Sequence, residues 1–264
     1  MKKSILVFLA LCFATVAVFS LLQLLSITST YREATQGYDE LTQFVRAPES
    51  DSVEVNLPEP SVSEEDTPTP PHWAADRFPE VDFEKLGAIN PDVAAWLILE
   101  DTQINYPVVQ GGDNAFYLNH TFDGTRNKVG ALFFDSNNTP GFADQNTIIY
   151  GHNMRDGSMF AALKNYQAQA FFDEHPYMLL LTPDGNYLVE IFAAYATAVT
   201  ADSWRHTFDD EVDFANWIDE AKNRSDFTSD VEILPSDRVI TLSTCSYVFD
   251  NARYVVVGRL VPIR

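Results

Sequence analysis

A lone cysteine and an arginine lie near each other in the segment TLSTCSYVFDNARYVVVGRL, residues 241–260. A cysteine thiolate is a strong nucleophile, but it needs exposure and a base or a positive charge nearby. Cys245 ends the apolar run 239–245 and precedes a polar and aromatic loop, and loops at strand ends are where proteins often carry working groups. The pattern therefore favours a nucleophilic role for Cys245 over a place inside a buried sheet.

Arg253 opens the next apolar run after that loop. If the two runs pair as a hairpin, Cys245 and Arg253 stand side by side at the loop end. Arg259 has the same parity, but six residues at about 3.3 Å each put it roughly 20 Å further along the strand. A guanidinium beside a thiolate could stabilise it and could donate to the oxyanion of an acyl-transfer intermediate. From these residues alone, a surface salt bridge remains a reasonable alternative role for Arg253.

A base for the thiol has five histidine candidates, of which His152 differs by position. It follows the run NTIIY and Gly151, so it also lies just past a strand end, where glycine permits a close approach or a sharp turn. The others fall in a predicted stalk or in segments with no further sign of a site: His72, His120, His175 and His206. Because an isolated histidine is more often structural than catalytic, spacing alone leaves both roles open for His152.

Short β-like runs separated by turn signals are expected to position these residues. They cover residues 95–99, 106–109, 131–134, 147–150, 177–182, 187–197, 239–245 and 254–261. Eight short strands favour a closed or nearly closed barrel, so the predicted fold class is mainly β with peripheral helices.

Two helices are predicted between the strands. Ser158 is a candidate N-cap of a short helix through Tyr166. The stronger pattern is DDEVDFANWIDEAKN, in which apolar residues recur at helical spacing and acidic residues suit the helix N-terminus. Its apolar positions are Phe214, Trp217, Ile218 and Ala221. We interpret this helix as an amphipathic cover packed on the barrel.

The N-terminal region reads as a membrane anchor. Residues 4–27 contain no charged residue, and a helix of roughly 20 apolar residues crosses a hydrocarbon core of about 30 Å. Lys2 and Lys3 precede the run, which predicts a cytoplasmic N-terminus, a single span of the cell membrane and an extracellular remainder. An uncleaved signal anchor is favoured over a cleaved signal peptide, whose apolar region is usually shorter.

A segment rich in proline, serine and acidic residues follows at 47–71 and has no lysine or arginine. Such a composition predicts an extended, self-repelling stalk that holds a folded domain away from the bilayer. The predicted organisation is therefore an anchor at 1–30, a juxtamembrane segment and stalk at 31–72, and a catalytic domain at 73–264.

Composition excludes several function classes. The formal net charge is −21, which repels phosphate backbones and argues against nucleic-acid binding. The two cysteines, Cys12 and Cys245, fall on either side of the predicted anchor boundary, so no disulfide framework is expected. The sequence contains no metal-ligand spacing, phosphate loop or nucleotide fingerprint. We therefore expect no metal and no cofactor.

Three stretches resemble the sortases, the membrane-anchored cysteine transpeptidases of Gram-positive bacteria. TLSTC is similar to their TLxTC signature, and IIYGHNMRDGSMF is similar to the histidine segment of class B. NPDVAAWLILEDTQINYPVVQGGDNAFYLNH, residues 90–120, resembles the early strands of class B sortases. The likeness covers roughly residues 83–260, and the predicted helix around Trp217 fits the class B insertion before the last strands.

The resemblance implies a role for each matching residue. Cys245 would be the nucleophile, His152 the acid and base, and Arg253 the group that holds the oxyanion or orients substrate. Further contributions to substrate binding or to the surroundings of the site are implied at Ser243, Thr244, Asn153 and Tyr247. Class B relatives often carry an acidic residue near the position of Ser246 or Tyr247, and neither residue is acidic in this chain.

The implied reaction is transpeptidation. The enzyme would cleave a C-terminal sorting signal of secreted proteins through a thioester and transfer the acyl group to an amine of a lipid II-type peptidoglycan precursor. A pilin amine is an alternative acceptor, which would make the chain a pilin-polymerising sortase. The remaining alternatives are a cysteine peptidase, in which water resolves the thioester, and a non-catalytic, wall-binding barrel.

Overall fold

The computed structural model describes residues 2–46, 78–245 and 251–263, with the side chains at positions 2–12, 24–27, 30 and 245 outside that description. The chain divides into two compact units, Met1–Glu40 and Leu41–Arg264. The predicted limits of anchor, stalk and catalytic domain stay predictions.

Helix α1 (Lys2–Leu41) accounts for the first unit. In the part of the chain that is described, no helix combines the length and apolar character needed to cross a membrane. The predicted transmembrane segment thus gains no support from the structure and stays a prediction. Many of the side chains that define it, at 4–12 and 24–27, lie outside the description.

The second unit begins with a two-stranded ladder between strands β1 (Val45–Arg46) and β2 (Glu80–Val81), which pair antiparallel. The amide of Asp82 also donates to the Phe44 carbonyl at 2.9 Å. The predicted stalk, residues 47–71, lies between these strands and outside the described residues. The stalk therefore stays a prediction.

Eight strands close into a barrel, as the sequence predicts. They are β3 (Val93–Ile98), β4 (Asn105–Val109), β5 (Leu132–Phe134), β6 (Asn146–Tyr150), β7 (Tyr177–Thr182), β8 (Gly185–Ala198), β9 (Val239–Cys245) and β10 (Ala252–Ile263). Their order around the barrel is β10, β8, β7, β3, β4, β5, β6, β9, with β9 pairing back to β10. These runs are rich in valine, isoleucine, tyrosine and phenylalanine, which pack well on a pleated surface.

Two of the eight pairings are parallel, namely β4 with β5 and β6 with β9. The others are antiparallel. Strands that pair in parallel have their C-terminal ends at the same end of the sheet. The β6–β9 pairing is therefore the feature of the fold that brings two distant parts of the sequence together.

The described helices of this unit are not part of the barrel sheet. They are α2 (Phe83–Ile89), α3 (Gln169–Glu174) and α4 (Glu211–Arg224), with 3₁₀ turns at Thr42–Phe44, Phe116–Leu118, Phe160–Gln167 and Asp202–Trp204. The predicted helix after Ser158 is this longer 3₁₀ segment. The Ser158 hydroxyl does not cap it but donates to Asp156 at 2.7 Å, since Met159, at a φ of 54°, turns the chain before the segment begins.

Helix α4 confirms the predicted amphipathic cover. Asp210 caps its N-terminus by accepting from the Asp213 amide at 2.9 Å. The four predicted apolar residues are buried in one cluster with residues of β8, β9 and β10, including Tyr195, Val239 and Val255. The helix therefore packs against strands β8 and β10 and the first residue of β9.

Candidate active site

The parallel pairing of β6 and β9 brings the predicted histidine and cysteine positions to one end of the barrel. Tyr150 is in register with Ser243, and the Gly151 amide donates to the Ser243 carbonyl at 3.1 Å. His152 and Cys245 each follow two residues after this aligned pair. Their backbones thus meet at the same end, although 93 residues separate them in the sequence (245 − 152).

The β9–β10 hairpin has the predicted register. Cys245 pairs directly with Arg253, whereas Arg259 pairs with Val239 at the other end of the strand. Arg259 is buried and forms an ion pair with Glu190 on β8. Arg253 makes no salt bridge within the described ranges; its guanidinium donates to the adjacent Ala252 carbonyl at 3.1 Å. The salt-bridge alternative for Arg253 therefore finds no support among the described residues.

A cavity of about 420 Å³ opens at this end of the barrel. It is lined by Asn114, Leu118, Phe133, Tyr150, Gly151, His152, Val199, Thr200, Ala201, Trp204, Ser243, Thr244 and Arg253. Leu118 and Val199 at its edge are exposed apolar residues, at 38% and 49% of their surface. Two of the predicted catalytic side chains, His152 and Arg253, thus share one concave site with an apolar rim.

A hydrogen bond fixes the orientation of the His152 ring. Its Nε2 lies 2.7 Å from the carbonyl oxygen of Leu118. Because a carbonyl oxygen only accepts, Nε2 carries the proton in this contact. The ring is therefore left with Nδ1 as the nitrogen that can gain or lose a proton during a reaction.

Two glycines make this placement of His152 possible. A Cβ at Gly151 would lie 2.5 Å from Leu132 and 2.6 Å from Phe160, so no larger residue fits before the histidine. Gly130 has a φ of 66°, and a Cβ there would lie 3.1 Å from both the His152 ring and the Leu118 carbonyl. The expectation that Gly151 permits a close approach is confirmed; Gly130 was not recognised from the sequence.

The polar groups around the cavity shape its electrostatics. Burial raises the pKa of Tyr150, the hydrogen bond to Asp135 adds to this rise, and the positive charge of Arg253 opposes it. The Tyr150 phenol is therefore neutral and acts as a hydrogen-bond donor. Arg253 acts electrostatically on the phenol of Tyr150, a residue that lines the cavity.

The other predicted site residues differ in what they contribute. Ser243 is 2% exposed, and its hydroxyl accepts from the Trp204 indole at 3.3 Å. Thr244 is equally buried, but its hydroxyl has no hydrogen-bond partner in the described structure. Asn153 forms a β-bridge with Met159. Tyr247 lies outside the described residues, as does the side chain of Cys245.

Sequence reasoning missed several residues that build the cavity. Leu118 acts through its main-chain carbonyl, which no side-chain pattern reveals. Asn114, Tyr150 and Trp204 contribute side chains to the walls. Asn114 and Leu118 do fall within the stretch 90–120 that resembles class B sortases, but that stretch alone did not indicate which of its residues face the site.

The remaining histidines are accounted for elsewhere. His120 stacks on Phe116 and His175 stacks on Phe171. His206 Nε2 lies 3.6 Å from Asp135, and His72 is outside the described residues. Among residues 2–46, 78–245 and 251–263, no group of histidine, cysteine and carboxylate side chains has the arrangement of a metal site.

Comparison with known proteins identifies relatives of this chain. A sortase domain matches residues 97–261. The chain is 40% identical to Sortase B of Listeria monocytogenes over 182 residues, which is 68% of this chain and 74% of that protein. It is 36% identical to Sortase B of Staphylococcus aureus over 183 residues, 69% of this chain and 75% of that protein.

Solved structures of sortase B proteins are also similar to this chain. A Staphylococcus aureus sortase B–substrate complex superposes with a TM-score of 0.66 at 35% identity, covering 69% of this chain and 85% of that one. Sortase B from B. anthracis in complex with AAEK1 superposes with a TM-score of 0.71 at 28% identity, covering 89% of this chain and all of that one. With a matching domain, fold and sequence identity, the chain belongs to the sortase family as a sortase B-type cysteine transpeptidase.

Proposed function

We propose that this enzyme cleaves a C-terminal sorting signal of secreted proteins and transfers the new acyl end to an amine of a lipid II-type peptidoglycan precursor. The observation that supports it most is the meeting of His152, Arg253 and the backbone of Cys245 at one cavity. The apolar rim at Leu118 and Val199 suits an extended peptide.

In the first half of the proposed reaction, the Cys245 sulfur attacks the scissile carbonyl carbon and its proton passes to Nδ1 of His152. The guanidinium of Arg253 donates to the oxyanion that forms, which lowers the energy of the tetrahedral intermediate. The C–N bond then breaks. His152 gives its proton to the departing amine, and the acyl group remains on sulfur as a thioester.

In the second half, the acceptor amine attacks the thioester carbon and loses a proton to Nδ1 of His152. Arg253 again holds the oxyanion. The C–S bond breaks, the new amide leaves, and the proton returns from His152 to the sulfur. The Leu118 carbonyl keeps Nε2 protonated throughout, so a single ring nitrogen serves both halves.

We further propose that residues 4–27 anchor the enzyme in the cell membrane, with the catalytic unit on the outer side. Large apolar side chains on helix α1 are exposed, among them Phe13 at 75% and Phe19 at 63%, and such a surface favours lipid over water. Both the secreted substrate and a lipid-linked acceptor occur at that face. Membrane fractionation and protease protection of the full chain test this proposal. Recovery of the protein in the soluble fraction, or protection of the catalytic unit from protease added outside the cell, would contradict it.

The reaction itself is tested with the full-length protein and a library of sorting-signal peptides, with and without a triglycine amine. We expect an acyl adduct on Cys245 by mass spectrometry and an amine-dependent ligated product. Cys245→Ala should abolish both. Product that is indifferent to the amine would make the chain a peptidase, and peptide binding without any adduct would make it a binding barrel.

The acceptor is a separate question. A pilin amine is the alternative to a wall-precursor amine, and the two are distinguished by offering a lysine-containing pilin peptide alongside triglycine. We expect the glycine amine to be used at least about tenfold faster. The reverse preference would favour the pilin-polymerising alternative.

A further inference from the structure

Asp135 is a buried carboxylate that directly follows strand β5. It is 4% exposed and accepts hydrogen bonds from three residues. Asn114 Nδ2 donates to Oδ1 at 2.9 Å, Tyr150 Oη donates to Oδ2 at 2.8 Å, and both the amide and the side chain of Asn137 donate to Oδ1 at 2.9 Å. Removing a buried acceptor of this kind leaves several donors unpaired.

Two of these donors line the candidate active-site cavity, and they come from separate parts of the fold. Tyr150 ends β6, two residues before His152, whereas Asn114 lies in the loop between β4 and β5. The carboxylate is a direct hydrogen-bonded link between these two parts of the cavity wall. Asp135 itself is not among the residues that line the cavity.

The orientation of the Asn114 amide depends on this link. Its Nδ2 donates to Asp135, and its Oδ1 accepts from the Ser136 amide at 2.8 Å. A flipped amide would set its oxygen against the carboxylate and its N–H₂ against an N–H. The pair Asp135 and Ser136 therefore selects one of the two possible orientations of the side chain.

We propose that Asp135 is a positioning residue for peptide binding, acting through Asn114 and Tyr150 without touching the substrate. This inference rests on the proposed function, since it assumes that the cavity holds the peptide. As a carboxylate, Asp135 accepts from all its donors at once through the lone pairs of its two oxygens. His206, whose Nε2 lies 3.6 Å away, is the nearest titratable group outside this set.

Burial and hydrogen bonding have opposite effects on that charge. Burial acts to raise the pKa of Asp135, but the hydrogen bonds from Asn114, Asn137 and Tyr150 outweigh it and the pKa is lowered. The group is thus an acceptor at neutral pH. Asp135→Asn keeps the size and shape but removes the negative charge, so the hydrogen bonds that remain lose their charge assistance and Tyr150 can no longer donate to an Oδ2 oxygen.

The control is Asp226→Asn. Asp226 accepts from the hydroxyl of Tyr254 at 2.9 Å, so a tyrosine–aspartate bond is again altered, here at an exposed carboxylate outside the cavity lining. Neither residue lines the cavity.

The test uses full-length wild type, D135N and D226N. We expect D135N to raise KM for the sorting-signal peptide about tenfold or more, the effect of losing a charge-assisted hydrogen bond. The alkylation rate of Cys245 by iodoacetamide, mapped by mass spectrometry, should stay within about twofold, as a barrel with intact packing predicts. In D226N both quantities should match wild type.

A second readout needs no turnover. The side-chain amide of Asn114 should give two resolved NMR signals protected from exchange in wild type and in D226N, and these signals should shift and lose part of that protection in D135N, because the acceptor is no longer charged. If D135N does not fold, Tyr150→Phe removes only the hydroxyl that holds Oδ2, and a smaller change of the same Asn114 signals is expected.

Unchanged Asn114 signals, a KM for D135N within twofold of wild type, or an equal KM rise in D226N would each overturn the positioning role. A parallel fall in kcat and alkylation rate would also overturn it, since that pattern indicates a general loss of folding. A wild type that makes no product contradicts the proposed function instead, and the Asn114 signals then still decide the role of Asp135.

Discussion

At the scale of single residues, the two arginines of strand β10 show how register assigns a role. Arg253 pairs with Cys245 and borders the cavity, while Arg259 pairs with Val239 and is held by Glu190. Both residues carry a guanidinium group on the same face of one strand. Their roles therefore differ only through the residues that surround them. The pair therefore supplies its own controlled comparison.

Arg253→Lys keeps the positive charge but removes the planar fork, which a lysine cannot replace at a site that needs directed donors. We expect kcat/KM for transpeptidation to fall about 10²-fold or more, the typical cost of losing an oxyanion donor. The free energy of unfolding should change by less than about 0.5 kcal/mol, as for most surface substitutions.

Arg259→Lys is the control for this substitution. It should lower stability, because a buried, multiply bonded guanidinium is lost, while kcat/KM per folded molecule stays near wild type. Steady-state kinetics and urea unfolding of both variants measure this. Equal losses of activity in the two variants would contradict the assignment of Arg253.

The second residue-scale prediction concerns the contact that orients His152. Alanine at Gly130 would place its Cβ 2.6 Å from the Tyr117 carbonyl oxygen and 3.1 Å from both the Leu118 carbonyl oxygen and the His152 ring. Gly124 has a similar positive φ of 78°, but a Cβ there meets nothing within 4 Å. Each alanine should cost about 1–2 kcal/mol of stability through backbone conformation, and Gly130→Ala should cost more because the Tyr117 carbonyl must move.

Only Gly130→Ala should also impair catalysis, with kcat/KM at least about tenfold lower because a small misplacement of a catalytic group is costly. Gly124→Ala should retain kcat/KM within twofold. Kinetics normalised to the folded fraction, from circular dichroism, distinguish the two. Full activity in Gly130→Ala would mean that the Leu118 contact is unimportant for His152.

At the scale of elements, the β6–β9 ladder joins the histidine strand to the cysteine strand. Two threonines of this ladder differ in whether their hydroxyls have a hydrogen-bond partner. Thr241, on β9, donates to Oδ1 of Asn146 at 2.9 Å, and both residues are fully buried. Thr147, on β6, is 3% exposed, and its hydroxyl has no partner in the described structure.

Valine substitutions should therefore act in opposite directions on this ladder. Thr147→Val removes an unpaired buried hydroxyl and should raise the free energy of unfolding by up to about 1 kcal/mol. Thr241→Val leaves the Asn146 oxygen without its partner and should lower it by about 1–3 kcal/mol. Urea titration of both variants checks this, and a destabilised Thr147→Val would show that the hydroxyl has an acceptor.

The elements also show what the sequence could and could not predict. Alternating β-branched and aromatic residues, with clear turns, were enough to locate all eight barrel strands and helix α4. Parity along β10 was enough to choose Arg253 over Arg259. The antiparallel pairing of the two segments that flank the predicted stalk could not be predicted. The reason is that β1 and β2 are two-residue strands whose pairing depends on contacts distant in sequence.

For the candidate site, the sequence predicts which side chains take part but not the contacts that orient them. Cys245, His152 and Arg253 follow from strand ends and from the family signature. The nitrogen of His152 that carries the proton depends on a main-chain carbonyl 34 residues away, and the role inferred for Asp135 depends on two residues from different loops and strands. Such contacts arise from tertiary packing and leave no local pattern.

At the scale of the whole molecule, the acidic composition makes stability depend on pH. Six aspartates have pKa values lowered below the ordinary 3.8: Asp82, Asp113, Asp123, Asp135, Asp144 and Asp213. Hydrogen bonds or ion pairs to their charged forms lower these values. A lowered pKa means that the native state binds protons less readily than the unfolded state, so these groups stabilise the fold above their unfolded pKa.

That stabilisation should be lost as the pH falls through the native pKa values. We expect the free energy of unfolding to be nearly constant from pH 7 to about 5 and to fall steeply below about pH 4. Protonation of other carboxylates relieves repulsion within the net charge of −21, which acts in the opposite sense. In about 0.15 M salt, with a Debye length of about 8 Å, that long-range term is screened more than the direct hydrogen bonds are.

Urea unfolding from pH 7 to 2.5 measures how steeply the free energy of unfolding falls with pH. The slope should be shallower in D135N because one of the six groups is gone. Stability that rises steadily down to pH 3 would mean that charge repulsion, and not these hydrogen-bonded carboxylates, governs the acid behaviour of the enzyme.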